Sequence, residues 1–304
     1  MQPPILFHAL ADQTRLRILA LVRAMELSVG EVTQVLGQSQ PGISRHVKLL
    51  VQAGLVDRRK EGNWVFLTPG TTPAAQAVFA LLDTLGVRAG ADMQTDATRL
   101  DAVRSLRAAQ AEDYFETHAA EWDAIRSLHV PEQAVEAAIR AALGGGPIGW
   151  LVDVGTGTGR MLALLGGQAA RLTGFDKSPA MLRIARTKLA AGQGADLRQA
   201  DMYALPLPGG VADVAVMHQV LHYAQHPAAA IAEAARILAP GGRLLVVDFA
   251  PHNREDLRDR DAHLRLGFSE SHMAAWFAAA GLTCTPAARL EGALTVMLWL
   301  GHRI

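Results

Sequence analysis

The run Leu151-Val-Asp-Val-Gly-Thr-Gly-Thr-Gly-Arg160 constrains this 304-residue chain more than any other stretch. Leu151 to Val154 read as a buried strand, the alternate glycines Gly155, Gly157 and Gly159 as a turn, and Met161 to Leu165 as the start of a helix. Strand, glycine turn and helix, in that order, are where a parallel α/β sheet brings its backbone against a ligand. A side chain at these positions would stand between backbone and ligand, and glycine accepts the positive φ that a tight turn needs. The spacing is G-x-G-x-G rather than the G-x-G-x-x-G of a dinucleotide fold, which disfavours a nicotinamide oxidoreductase.

The residues after the loop extend the same pattern. Strands are expected at Trp150–Val154, Leu172–Asp176, Ala195–Gln199, Ala212–Met217 and Gly242–Phe249, with helices between them, notably Pro179–Leu189 and Pro227–Leu238. Cys284–Leu290 and Leu294–His302 form a closing hairpin around Glu291-Gly-Ala. Alternation of this kind predicts an α/β fold with a parallel sheet and a ligand at the carboxyl ends of its strands. Asp176, 23 positions after Asp153, ends the second strand and is placed to accept hydrogen bonds from both hydroxyls of a ribose. As a lone residue it reads equally as a cap before Ser178-Pro179. Asp201 follows the third strand and suits an exocyclic amine, while Met181, Met202 and Leu205 could sandwich a base.

The formal charge is zero, which points to neither nucleic acid nor membrane. Between Met1 and Gly70, however, eight cations face five anions, and they cluster. The single cysteine, Cys284, excludes an intrachain disulfide framework and any multi-thiolate metal site. Met-Gln-Pro-Pro lacks the features of a signal peptide, and no apolar run approaches the roughly 20 residues that span a bilayer. A soluble, cytoplasmic protein without membrane partners is expected.

Ile5 to Met25 predicts two helices broken near Asp12 and Thr14. Ser28 to Gly37 is a short helix, capped by Ser28 with Glu31 three residues on and stopped by Gly37. Ser39 to Gly54 is a second, with Ile43, Val47, Leu50 and Val51 as its inner stripe and Gln40, Ser44, Arg45 and Lys48 facing out. Leu55 to Leu67 then forms a hairpin turning at Glu61-Gly62-Asn63, its arms carrying Arg58, Arg59 and Lys60. Helix-turn-helix followed by a basic hairpin predicts a winged DNA-binding module. Its DNA-contacting set is Gln40, Ser44, Arg45, His46 and Lys48 on the recognition helix with Arg58, Arg59 and Lys60 on the wing. Leu-Ala-Asp-Gln-Thr-Arg-Leu-Arg-Ile-Leu from Leu10, Ser-Gln-Pro-Gly-Ile-Ser-Arg-His from Ser39 and the Arg58–Trp64 wing resemble the ArsR/SmtB repressors. That resemblance implies a homodimer, packed through the first helix and the helix at Thr72–Leu85, on double-stranded operator DNA. Glu26-Leu-Ser-Val-Gly-Glu31 puts Ser28 and Gly30 where many members carry thiolates, so no metal site is expected.

Asp153–Gly159, Gly174-Phe-Asp-Lys-Ser-Pro179, Ala200-Asp201, Asp213 to His218 and Leu238-Ala-Pro-Gly-Gly242 resemble class I S-adenosylmethionine-dependent methyltransferases of the ubiquinone/menaquinone-biosynthesis type. The resemblance implies a seven-stranded Rossmann-like domain binding S-adenosylmethionine or S-adenosylhomocysteine. The implied contacts are Tyr114, Asp153, Gly155, Thr156, Gly157, Gly159, Asp176, Lys177, Met181, Asp201, Met202 and His218, with Tyr114 and Trp122 in an aromatic lid. The fusion of the two parts resembles a bacterial group described as both regulator and methyltransferase. The expected domains are a DNA-binding domain at 1–90, a helical connector and lid at 91–146, and the methyltransferase domain at 147–304.

In the connector, Gly86 to Gln94 is a boundary. Asp96–Ala120 is a long helix with a seam of Leu100, Val103, Leu106 and Ala109, Trp122 and Ile125 continue an apolar face, and Pro131 opens a helix to Leu143. His218, His222 and His252 are the candidate bases, each against a packing or solvated role, with His222 and His252 the catalytic candidates. Two functions remain open: a small-molecule methyltransferase, or a sensor of the methyl donor or its product whose output is DNA release. In a purely catalytic alternative the winged helix serves dimerisation only.

Overall fold

The computed structural model describes residues 3–61, 64–85, 91–119, 122, 131–189 and 194–304. The chain forms two compact units, Met1–Gln110 and Ala111–Ile304.

The first unit opens with helices α1 (Pro3–Leu10) and α2 (Gln13–Ala24), separated where the Asp12 side chain accepts the Arg15 N–H and caps α2. A short strand β1 (Leu27–Ser28) leads into α3 (Val29–Leu36) and α4 (Gln40–Gln52). Ser28 and Glu31 form the expected capping box, and Gly37 ends α3 at φ 64°, where a side chain would be strained. The hairpin β2 (Val56–Glu61) and β3 (Trp64–Pro69) pairs from Val56↔Pro69 to Glu61↔Trp64, and β1 adds to β3. The turn expected at Gly62-Asn63 lies outside the described residues, as do the boundary glycines Gly86 and Gly90, and Ile125. Helix α5 (Pro73–Thr84) follows, capped by Thr72. Ile18, Leu19, Leu27, Ile43, Leu50 and Leu67 are fully buried between these elements.

Helix α6 (Ala91–His118) starts five residues before the expected position. In the first unit it buries Asp96, whose two oxygens accept from Arg17 at 2.6 and 2.7 Å, and then Leu100 and Val103. The expected seam stops there: Leu106 is 56% exposed and Ala109 is exposed. The apolar period continues, but the core of this unit ends before Leu106, so those residues have nothing in it to pack against.

The second unit carries α7 (Glu132–Leu143), β4 (Ile148–Val154), α8 (Arg160–Leu165), β5 (Ala169–Asp176), α9 (Pro179–Leu189), β6 (Asp196–Gln199), β7 (Ala212–His218), α10 (Pro227–Ile237) and β8 (Leu238–Phe249). Two helices not anticipated from the sequence, α11 (Asp256–Arg260) and α12 (Glu270–Ala279), precede β9 (Leu282–Leu290) and β10 (Val296–Arg303). The seven strands lie in the order β6-β5-β4-β7-β8-β10-β9, with β10 antiparallel to both neighbours and the remaining pairs parallel. Alternate residues of β4 feed opposite faces: Val152 and Val154 join one core, Leu151 the other. The strand order reverses at β4 and β7, so their carboxyl ends open the crevice where ligands bind in such sheets. No helix among the described residues is long and apolar enough to cross a membrane.

Candidate functional site

The glycine turn is fixed by hydrogen bonds to its neighbouring strand. The N–H groups of Gly155 and Thr156 both donate to the Phe175 carbonyl at 2.8 Å, and Thr156 Oγ1 donates to the buried Asp153 Oδ2 at 2.7 Å. Gly155 sits at φ 74°, and a Cβ there would lie 2.4 Å from Val220 Cγ2, so no larger residue fits. Gly157, at φ 52°, faces a more open space in which a Cβ would find Trp122 Nε1 at 3.5 Å. Asp153 and Thr156 therefore brace the turn from below, while Gly157 exposes backbone toward the crevice.

Asp176 ends β5 beside this turn. Its Oδ2 accepts the Gly157 N–H at 2.7 Å and its Oδ1 accepts the Ser178 N–H at 2.8 Å. Burial raises its carboxyl above the usual value, opposed by the N–H groups of Ser178, Gly157 and Lys177. Both expected roles of Asp176, cap and crevice carboxylate, are thus compatible: the backbone N–H groups of Ser178, Gly157 and Lys177 use most but not all of a carboxylate's acceptor capacity of about four directions. The Ala200 N–H donates to the Asp176 carbonyl at 3.0 Å, which sets Asp201 at the next strand end, exposed, its Oδ1 accepting from Tyr203 N–H at 3.1 Å. Met181 is buried against Ala119 and Ala180, with Phe115, Trp122 and Ile184 packed on them, while Met202 is half-buried. Lys177 is exposed, and His218 is half-buried at the end of β7. Tyr114, Phe115 and Trp122 form an aromatic layer with ring centroids 5.3 to 6.4 Å apart, joined by Tyr223 at 4.7 Å from Phe115. The Tyr114 hydroxyl donates to Asp261 Oδ1 at 3.3 Å, and burial, then the Asp261 charge, raises its pKa, keeping it a donor.

The two histidines expected as bases differ. His222 is 2% exposed, with its Nδ1 2.8 Å from Oδ1 of the fully buried Asp248. His252 is half-buried on the loop after β8, where its Nδ1 accepts the Arg254 N–H at 3.3 Å and so shapes that loop. Sequence reasoning missed Asp248, His263 and Asp261, which gather around His222 and Tyr114. A carboxylate inside the apolar run Leu244–Phe249 was the available signal for Asp248.

On the first unit, Gln40, Ser44, Arg45 and Lys48 are exposed on α4, as are Arg58 and Lys60 on β2. Two expected contacts are otherwise engaged. His46 faces Asp12, Nδ1 to Oδ1 at 3.6 Å, and Arg59 pairs with Glu26 at 2.8 Å with its guanidinium over Phe66.

A methyltransferase-domain profile matches residues 152–246, and a helix-turn-helix profile residues 10–59. The arsenic-resistance regulator ArsR1 of Pseudomonas putida is 48% identical over 67 residues, 22% of this chain and 52% of that protein. The transcriptional activator HlyU of Vibrio cholerae is 41% identical over 81 residues, 27% of this chain and 74% of that protein. The demethylmenaquinone methyltransferase of Thermus thermophilus is 41% identical over 106 residues, 33% of this chain and 47% of that protein. The chain thus spans about half the length of the first curated relatives it matches. The second unit shares its fold with YcgJ of Bacillus subtilis, at a TM-score of 0.51 and 16% identity over 57% of this chain and 99% of that one. It shares it also with a chain from a Haloferax volcanii complex of the Trm112 methyltransferase activator with a methyltransferase, at 0.52 and 20% over 63% and 96%.

Proposed function

Because the chain belongs to the ArsR-type helix-turn-helix regulators and carries a methyltransferase domain behind that module, we propose that it binds operator DNA through its first unit and S-adenosylmethionine or S-adenosylhomocysteine in its second. A small molecule accepts the methyl group. The observation that carries the reading is the Gly157–Asp176 contact at the reversal point of the sheet. The residues fit an adenosyl group: Gly157 opens a cradle that a Cβ would narrow, and Asp176 keeps acceptor capacity for a ribose hydroxyl. Asp201 suits the amine of the base, with Met202 beside it, and the aromatic layer of Tyr114 and Trp122 excludes water from the amino-acid end. The bound donor supplies a methyl group activated by a sulfonium. What this chain supplies is position, since an in-line arrangement accounts for much of such a rate.

On the DNA side, α4 would present Gln40, Ser44 and Arg45 to base edges, while Lys48 and the wing residues Arg58 and Lys60 meet phosphates. Ile5 and Phe7 on α1, with Leu81 on α5 and Leu85 just after it, are 45 to 67% exposed and suit a homodimer face.

A sensing role is favoured by one helix. α6 contributes Asp96, Leu100 and Val103 to the core of the first unit, and Glu116 to the second, where its Oε1 accepts from Ser178 Oγ and Ala180 N–H at 3.2 and 3.3 Å. Ser178 is the residue that also holds Asp176. Calorimetry with S-adenosylmethionine and S-adenosylhomocysteine on the wild type and Asp176→Ala tests the ligand. Binding in the wild type and its loss in the variant are expected, and a wild type that binds neither overturns the reading. Gel shifts across the same titration test the sensor. Operator affinity that ignores ligand removes it, and absence of any DNA binding leaves a purely catalytic protein.

A further inference from the structure

Asp201 and Met202 sit on a loop with little regular structure to hold it. Among the described residues no helix or strand lies between β6 and β7, and Asp201, Ala204 and Pro206 are exposed. The two ends of the loop are fixed by neighbours. The Ala200 N–H donates to the Asp176 carbonyl at 3.0 Å. At the far end Glu233 Oε1 accepts the Leu205 N–H at 2.7 Å, and Arg236 donates to the Leu205 and Leu207 carbonyls at 3.2 and 2.9 Å. Between those ends Tyr203 reaches across to another loop. Its hydroxyl oxygen accepts the His226 N–H at 3.1 Å, and the Gln225 N–H bonds the same oxygen. Gln225 is itself held from a third loop, where Arg265 donates to its carbonyl at 2.7 Å.

Burial raises the Tyr203 phenol above its usual pKa against the pull of the two N–H groups, so its oxygen stays a neutral hydroxyl. Two backbone donors then occupy both of its lone pairs, and the ring cannot turn away without stranding them. The backbone of the same residue adds a second constraint. The Tyr203 N–H donates to Asp201 Oδ1 at 3.1 Å and the Ala204 N–H to the Asp201 carbonyl at 3.1 Å, a tight turn built on the carboxylate. Among the described residues Asp201 Oδ2 has no hydrogen-bond partner. The Tyr203 hydroxyl therefore fixes where the peptide lies, and the peptide N–H fixes one oxygen of Asp201.

We infer that Tyr203 is a positioning residue for base recognition: by tying the Asp201 turn to the backbone of Gln225 and His226, it gives the donor site a preference for a 6-aminopurine over a 6-oxopurine. The inference rests on the methyl-donor reading above. A carboxylate only accepts, so it pairs with an exocyclic amine and opposes a carbonyl oxygen in the same place. A 6-oxopurine, however, carries a proton on the adjacent ring nitrogen. A carboxylate on a loose loop would swing to that N–H and accept either base, whereas one held in place leaves the carbonyl unpaired and rejects it. Without the Tyr203 hydroxyl the loop is held at its ends alone, and the carboxylate follows whichever base arrives.

Calorimetry of the full chain with S-adenosylhomocysteine and S-inosylhomocysteine reads the preference as a ratio of affinities. The wild type is expected to favour the amine about 10-fold or more, and Asp201→Ala to lose that preference. Tyr203→Phe, folded by its melting curve, keeps the ring and its packing and is expected to bring the ratio close to that of Asp201→Ala. A merely structural role would weaken both nucleosides alike and leave the ratio unmoved. The wild type gives a second reading, because a clamp that favours the amine must itself be favoured by it. At saturation, exchange of the Gln225 and His226 amide protons is expected to be slower with S-adenosylhomocysteine than with S-inosylhomocysteine. A wild-type ratio in Tyr203→Phe, equal protection of those amides by the two ligands, or a wild type without preference overturns the inference while the donor reading stands. Failure of S-adenosylhomocysteine to bind overturns the donor reading itself.

Discussion

The Gly157 N–H donates to Asp176 Oδ2 at 2.7 Å, so one carboxylate holds in register a turn and a strand end 19 residues apart. Its other oxygen holds the Ser178 N–H. Removing the carboxylate therefore removes the proposed ligand contact and also leaves the Gly157, Ser178 and Lys177 N–H groups without that partner, each worth roughly 1–3 kcal/mol if it stays buried. Asp176→Ala is expected to weaken S-adenosylhomocysteine binding at least ~10-fold, measured by calorimetry. Asp176→Asn keeps an acceptor but presents an N–H₂ to one of the backbone donors, so it is expected to fall nearer to alanine than to the wild type.

Burial raises the Asp176 carboxyl above its usual 3.8. The folded state then binds a proton at a pH where the unfolded chain does not, so this group's contribution to stability declines as pH rises from 3.8 through the raised value. In the proposed contact, ligand affinity has the opposite sign, because ribose hydroxyls donate to the ionised form. Affinity for S-adenosylhomocysteine should fall on acidification at a pH above 3.8, with proton uptake detectable in buffers of different ionisation enthalpy. Unchanged affinity down to that value would separate Asp176 from the ligand.

The turn glycines are not equivalent. A Cβ on Gly155 meets Val220 at 2.4 Å, with φ at 74°. Gly155→Ala combines a left-handed penalty of roughly 1–2 kcal/mol with overpacking of about 1–3 kcal/mol. A lowered melting temperature, partly restored by Val220→Ala, is expected. On Gly157 the nearest atom is Trp122 Nε1 at an ordinary 3.5 Å. Gly157→Ala should therefore damage ligand binding more than stability, read as a calorimetric loss with a smaller shift in melting.

What was legible in the sequence was local chemistry: the Ser28–Glu31 capping box, Gly37, the glycine turn, and Asp176 closing a strand. Each is specified by residues within a few positions of one another. The rest depended on partners far along the chain. His46 and Arg59 sit on elements that read as DNA-facing, yet Asp12 and Glu26 engage them. The period of α6 predicts an apolar seam through Leu106, but periodicity cannot say where the surface it packs against ends. Asp248 reads as an interruption of an apolar strand until His222 is seen folded over it.

The wing cations should separate in a salt titration of operator binding. Arg58 and Lys60 are exposed, and each phosphate contact removed should lessen the slope of log affinity against log salt by about 1. Lys60→Ala and Arg58→Ala are expected to show that change with unaltered stability. Arg59, paired with Glu26, should instead lower the melting temperature and leave the slope near that of the wild type.

Coupling between ligand and DNA, where it exists, has a specific residue to fail at. Glu116 accepts from Ser178 Oγ and Ala180 N–H at the start of α9, and Ser178 N–H in turn donates to Asp176. On the proposed reading, a ligand on Asp176 bears on Ser178, which Glu116 of α6 holds; α6 also carries Asp96, which accepts from Arg17. A ligand can shift operator affinity only by the difference in its own affinity for the free and DNA-bound states. Glu116→Ala removes exposed to part-buried hydrogen bonds, so S-adenosylhomocysteine affinity should change little while its effect on the gel shift disappears. If the ligand effect survives intact in Glu116→Ala, this contact is not the route. If the wild type shows no ligand effect, the two proposed activities are linked only by sharing a chain.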